Sequence, residues 1–225
     1  MKKIIIVGAT SGIGRGLAEQ YAREDYLIGI TGRRENLLKE ICAQDKDKLF
    51  YQVCDITHTE TTLLSLETLV QEMGGMDMLI ICAGTGELNP QLSYQLEEPT
   101  WGFRYFEQQK GGHLINISSV GGTRGSGVAP AYNASKAYQI NYMEGLRQKA
   151  AKLPFAVYTT DIRPGFVDTA MAKGEGLFWV TPVDKAVKQI KKAISDRKKV
   201  AFISKRWKYV AWLFKLIPSA LYCKM

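Results

Sequence analysis

Seven short apolar runs, each followed by a polar or helix-forming stretch, constrain this chain more than any other feature. They read as strands at 3–7 (KIIIV), 26–30 (YLIGI), 49–53 (LFYQV), 78–82 (MLIIC), 113–117 (HLINI), 155–161 (FAVYTTD) and 199–203 (KVAFI). Short runs that are apolar without strict alternation are what strands covered on both faces require. Helical stretches fill most of the intervals, at 13–24, 35–43, 60–73, 100–110, 131–152 and 182–195, the last with Thr181 as N-cap and Pro182 as first helical residue. Strand and helix in alternation call for a Rossmann-like, doubly wound α/β fold: a mainly parallel seven-stranded sheet with helices on both faces. Ligands of such sheets bind beyond the carboxyl ends of the strands, so the residues just after each strand carry the functional reading.

A chain of 225 residues with average apolar (46%) and charged (23%) content fits one domain that needs no metal or disulfide staple. Residues 1–204 are read as that domain, and 205–225 as a basic, aromatic extension packed on it. Cys42, Cys54, Cys82 and Cys223 show neither C-x-x-C spacing nor clustered histidines, so no metal site is expected and reduced thiols in a cytoplasmic protein fit best. The opening MKKIIIVGAT has too short an apolar run for a signal peptide and reads as the first strand. The net charge of +8 gathers from Lys185 onward, so it belongs to the tail rather than to a groove for nucleic acid.

After the first strand, VGATSGIGRG spaces Gly8, Gly12 and Gly14 as G-x-x-x-G-x-G. Glycines there let the backbone approach a pyrophosphate, and the helix that follows points its positive end at it. After the second strand stand Thr31, Gly32, Arg33 and Arg34, with no carboxylate to take a ribose 2′-hydroxyl. Guanidinium groups suit a 2′-phosphate instead, which favours NADP (NADPH), with Arg33 the better placed of the two. The bland reading is that both arginines solvate a loop. In PAYNASKAYQ, Tyr132 and Lys136 lie four residues apart on one helical face. An ammonium so placed lowers a phenol's pKa and would let Tyr132 shuttle protons; alone, the pair also fits a half-buried aromatic beside a solvated lysine.

VGATSGIGRG, CDIT, ICAG, NISS, YNASK and RPGFVDT occur in this order, and with them residues 1 to about 195 resemble the short-chain dehydrogenase/reductase superfamily. The resemblance implies Tyr132 as catalytic acid/base, Lys136 as the residue that lowers its pKa and holds the nicotinamide ribose, and Ser119 as the hydroxyl that polarises a carbonyl. Ser119 is preferred to Ser118 because its thirteen-residue separation from Tyr132 is the family's spacing. The cofactor-binding set it implies is Gly8, Ser11, Gly12, Ile13 and Gly14 in the first turn, Arg33, and Asp55 at the adenine. It continues with Cys82, Ala83 and Gly84 beside the adenosine ribose, Tyr132 and Lys136 themselves, and Gly165, Val167 and Thr169 near the carboxamide. The implied activity is that of an NADP-dependent oxidoreductase acting on a small carbonyl or alcohol substrate, in a homodimer or homotetramer. A catalytically silent NADP-binding sensor is the alternative.

Two departures stand out. Cys82 replaces the family's asparagine in the ICAG turn, where the thiol is expected to pack as a small hydrophobe. From Gly84 to Ser119 there are 35 residues, where the family has roughly fifteen more, about 22 Å of helix. The break falls near EEPTWGFRYFEQ and removes the helix whose asparagine holds a relay water in the family. Either the chain is truly shortened there or, the favoured reading, the native protein carries residues absent from this sequence. Neither Asn89 nor Asn116 is assigned that role. Leu177, Phe178 and Trp179 offer apolar surface to a substrate. In the C-terminal SKRWKYVAWLFKLIPSALYCKM, Trp207, Trp212 and Phe214 are expected to cover the pocket or a subunit interface; peripheral contact with anionic lipid is the less favoured reading, and Lys215 interrupts any span.

Overall fold

The computed structural model describes residues 1–83, 97–172 and 178–224. Its centre is one seven-stranded sheet, formed by β1 (Lys2–Val7), β2 (Tyr26–Gly32), β3 (Leu49–Val53), β4 (Met78–Ile81), β5 (Gly112–Ile117), β6 (Val157–Pro164) and β7 (Val200–Ile203). The order is β3-β2-β1-β4-β5-β6-β7, and every neighbouring pair is parallel. The winding therefore reverses between β1 and β4, and the crevice at their carboxyl ends is where such a fold takes its ligand.

The unbroken apolar strands have a direct cause. Ile4 and Ile6 face one buried cluster, with Leu17 and Ala18 of α1 (Gly12–Ala22), Leu38 and Ile41 of α2 (Glu35–Cys42) and Val187 and Ile190 of α6 (Val183–Ser195). Ile5 and Val7 face the other, with Leu66 and Leu69 of α3 (Thr59–Met73), Phe103 and Phe106 of α4 (Glu97–Gln108) and Met143 and Leu146 of α5 (Pro130–Ala150). A side chain on either face of β1 meets helices, so both of its faces take apolar residues.

Some boundaries differ from the sequence reading. β6 runs to Pro164 rather than ending at 161, because Asp161–Pro164 pair with Val200–Ile203 of β7. Thr181 does not cap a helix; it pairs with Val167 in a parallel bridge, and α6 begins at Val183 after an extended Pro182. α4 starts three residues before the expected 100, with Pro99 in its first turn, where no backbone donor is lost. Gly102 lets α4 close on β4, since a Cβ there would lie 2.4 Å from Leu79 Cδ2. Gly84, Asn89 and Leu177 lie outside the described residues.

Candidate active site

The glycines after β1 do three different jobs. Gly8 has φ of +85°, and a Cβ on it would sit 2.8 Å from the Ala83 backbone, so the turns after β1 and β4 close on each other across the reversal point. Gly12, at φ +57°, faces Thr169, whose Cγ2 would be 3.2 Å from an added Cβ. Gly14 packs α1 onto its own turn, with the Gly8 carbonyl 2.2 Å from where its Cβ would be. The first turn of α1 carries no acidic residue and Ser11 makes no side-chain cap, which leaves the helix's positive end for an anion. Ser11, Gly12, Ile13 and Gly14 thus form a tight turn at an electropositive helix end, a place suited to an anion.

The two arginines after β2 play different parts. Arg34 Nη2 donates to Thr10 Oγ1 and to Ser11 Oγ, both at 2.8 Å, and so forms part of the wall of the glycine turn. Arg33 points outward, 65% exposed, with only a long 3.9 Å approach to Asp55. Asp55 Oδ1 accepts from the Thr57 amide (3.1 Å) and hydroxyl (3.0 Å), and these bonds, the amide foremost, hold the carboxyl below its usual range. Among the described residues Arg33, unlike Arg34, makes no side-chain hydrogen bond.

Ser119, Tyr132 and Lys136 come together around a 3-10 turn, Val120–Thr123, packed on the start of α5. Ser119 Oγ accepts from the Gly121 amide at 3.0 Å. A Cβ on Gly121 would lie 3.3 Å from Tyr132 Cε1 and 3.4 Å from Ser119 Oγ, so both side chains border the same glycine. Asn133 fastens the turn, donating to the Gly121 carbonyl at 2.6 Å and accepting from the Ser126 amide at 3.1 Å. Ser118 points elsewhere: its hydroxyl donates to Asp161 Oδ1 and lies 3.0 Å from the Ile162 carbonyl.

Lys136 is buried, not solvated. Its Nζ donates to the Ile117 carbonyl (3.2 Å) and to Gln139 Oε1 (3.0 Å), and burial pulls its pKa down to about 8 against the milder upward pull of Cys82 and Asp161. Cys82 packs beside it, its thiol pushed up to about 12 chiefly by burial. One expectation needs correcting: Tyr132 is shifted upward, because burial outweighs the lowering effect of its bond with Ser119. The Lys136 cation is 5.9 Å from the ring centroid and spends its hydrogen bonds on other acceptors.

The third wall is aromatic. Gly165 admits the Trp207 indole, whose Nε1 would be 2.1 Å from a Cβ at that position. Phe166, Phe178, Trp179 and Trp207 pack ring to ring at 5.1–5.9 Å between centroids. Val167, bridged to Thr181, and Thr169, against Gly12, bring this wall to the glycine turn. The C-terminal α7 (Trp207–Leu216) and α8 (Ser219–Tyr222) rest on the turn after Ser119. Arg124 fastens them, donating to the Phe214 and Ile217 carbonyls and lying 4.0 Å over the Tyr222 ring, while the Tyr222 hydroxyl donates to the Gly125 carbonyl. Trp207 turns inward, 4% exposed, but Trp212 faces outward, 64% exposed.

The sequence reading passed over Gln139, Asn133 and Arg124. Only Gln139 left a trace, standing three residues from Lys136 on the same helical face. Among the described residues no group of three or more His, Cys, Asp or Glu is arranged to hold a metal, and no helix is long and apolar enough to cross a membrane.

A family model described as short chain dehydrogenase matches residues 2–103 and again 100–177, the two stretches meeting where the sequence reading puts the missing helix. An uncharacterized oxidoreductase of Mycobacterium tuberculosis is 31% identical over 191 residues, spanning 76% of this chain and 75% of its own length. Another, from Staphylococcus saprophyticus, is 30% identical over 195 residues, with 76% and 80% covered. Among solved structures, a short-chain dehydrogenase from Sphingobium yanoikuyae in complex with NADPH superposes with TM-score 0.77 at 22% identity, covering 98% of both chains. A short-chain dehydrogenase/reductase from Burkholderia phymatum in complex with NAD superposes with TM-score 0.80 at 18% identity, covering 94% and 92%.

Proposed function

The chain belongs to the short-chain dehydrogenase/reductase superfamily, and from that premise we propose that it is an NADP-dependent oxidoreductase acting on a carbonyl or alcohol carbon. The observation that carries the reading is the shared border at Gly121: the Ser119 hydroxyl and the Tyr132 ring meet there, with a buried Lys136 one helical turn along. NADPH, when bound, supplies the hydride. Tyr132 gives its proton to the substrate oxygen during reduction, or takes it during oxidation. Ser119 Oγ donates to the same oxygen as charge develops there. Lys136 holds a positive charge behind the phenol and a donor for a ribose hydroxyl.

Each of this chain's residues toward the cofactor has a stated task. Gly8, Gly12 and Gly14 leave room for the pyrophosphate, with Ser11 and Ile13 at the start of α1 offering amides. Arg33 meets the 2′-phosphate, and Arg34 keeps the turn in shape. Asp55 would meet the adenine, and Cys82 and Ala83 its ribose; Gly84, which the family resemblance groups with them, lies outside the described residues. Gly165, Val167 and Thr169 form the nicotinamide side. NADPH rather than NADH is the reading because Thr31–Arg34 offers two cations and no carboxylate. A homodimer or homotetramer in the cytoplasm completes the proposal, with aromatic Phe166, Phe178 and Trp207 beside the pocket favouring an apolar substrate.

The test is steady oxidation of NADPH with a panel of ketones. Turnover that disappears in Tyr132→Phe supports the enzyme. Tight NADPH binding with no turnover on any ketone would instead mark the chain as a cofactor-sensing protein, a reading that the absence of asparagine from α4 favours.

A further inference from the structure

α7 is apolar on two sides. Its inner side, Trp207 and Ala211, is buried against the body of the protein. Its outer side carries Tyr209, Trp212, Leu213 and Leu216, spaced i, i+3, i+4, i+7 and 71%, 64%, 54% and 57% exposed. That spacing is a continuous stripe along one helix face, and a monomer in water has no use for it. Trp179, 44% exposed and 5.9 Å from the Trp207 ring, adds exposed aromatic surface at the start of the helix.

The charge around the stripe has one sign. Residues 205–224 contain Lys205, Arg206, Lys208, Lys215 and Lys224 and no Asp or Glu. Lys208 and Lys215, seven residues apart, run along one flank of the stripe, and Arg206 lies 4.8 Å over the Trp179 ring. Among the described residues none of these five cations enters an ion pair. The helix is also held firmly, since Arg124 binds its last carbonyls from the turn that follows Ser119.

We propose that the outer face of α7 docks this protein on an anionic phospholipid surface. Tryptophan and tyrosine with lysine at the edge is the composition that settles at the headgroup boundary, and an all-cationic rim complements anionic lipid. A second copy of the chain is a poor occupant. A two-fold contact would set the same cations against each other with no carboxylate between them. Through the Arg124 clamp, docking would hold the aromatic wall at Trp207 next to the bilayer, where a lipophilic substrate resides.

The experiment is co-sedimentation of the full chain with vesicles of phosphatidylcholine and phosphatidylserine at about two to one, and with phosphatidylcholine alone. Expected is binding to the anionic vesicles that weakens as salt shortens the screening length. Lys208→Gln with Lys215→Gln should weaken it about fivefold per charge, roughly 25-fold together. Trp212→Ala with Leu216→Ala should abolish it while circular dichroism stays unchanged, because both side chains are exposed. No binding at low salt, equal binding to neutral vesicles, or binding untouched by either double variant would overturn the proposal. So would a dimer in sedimentation velocity that Trp212→Ala with Leu216→Ala disperses, since the face would then belong to a second copy.

Discussion

The Lys136 ammonium lies 5.9 Å from the centroid of the Tyr132 ring and donates to Gln139 Oε1, an acceptor on its own helix. A cation buried this deeply is unstable unless something accepts from it, and among the described residues Gln139 and the Ile117 carbonyl do so. Gln139 is therefore the side chain whose acceptor favours the charged form of Lys136.

Replacing it should show in the pH profile. With Lys136 lowered to about 8, kcat/KM should fall as pH rises through that region and the ammonium is lost. Gln139→Leu removes an acceptor from the charged form, which lowers the pKa further. A hydrogen bond to a charged group contributes about 1.5–3 kcal/mol, so the alkaline limb should move down by about one pH unit or more. An unmoved limb would show that Gln139 does not hold the ammonium.

A second titration concerns stability alone. His113 is buried, its Nε2 2.8 Å from Thr160 Oγ1, and burial lowers its pKa from 6.5 to about 4, with help from Arg197 and Lys2. Between those values the unfolded chain binds a proton that the folded chain refuses. Stability contributed by the neutral ring is thus present above 6.5 and lost as pH falls toward 4, on the order of 3 kcal/mol in all. Urea midpoints measured across this window should decline with acid, and the decline should flatten in His113→Leu.

The proposed preference for NADPH assigns the 2′-phosphate to Arg33. Arg33→Ser should raise the dissociation constant for NADPH about 10- to 100-fold, the worth of a charge-assisted bond to phosphate, and leave that for NADH little changed. Arg34→Ala, which strips the donor from Thr10 and Ser11, should weaken both cofactors alike. Fluorescence titration of each nucleotide separates the two roles.

Two glycines test the packing. A methyl at Gly165 meets the Trp207 indole at 2.1 Å, so Gly165→Ala should cost about 1–3 kcal/mol and alter the tryptophan emission. Gly145 on α5 is exposed, with nothing within 4 Å of an added Cβ, and Gly145→Ala should stabilise by about 0.5–1 kcal/mol. Thermal midpoints of opposite sign are the expected pair.

The sheet was legible because Ile4, Ile5 and Ile6 leave no polar face, and glycine between a strand and a helix at Gly8–Gly14 has few other uses. Burial by tertiary contact was not legible. A lysine on a helix reads as a surface charge, and only the packed turn at Gly121 and Gly122 shows that Lys136 is enclosed. The upward shift of Tyr132 has the same origin, since desolvation comes from neighbours that are distant in sequence. Trp207 and Trp212 look alike in composition; which one turns inward depends on the phase of α7 against Gly165. Thr181 before a proline resembles a helix cap, and its pairing with Val167 joins residues well apart in the chain, which no local pattern records.

The central claim is that Tyr132 moves the proton while NADPH binds nearby, and one paired measurement tests it most directly. NADPH binding and NADPH oxidation with a reactive ketone are followed in the same preparations of wild type and Tyr132→Phe. The account predicts an unchanged dissociation constant and a rate lowered by about 10²- to 10⁴-fold in the variant. Equal rates in the two proteins would contradict it.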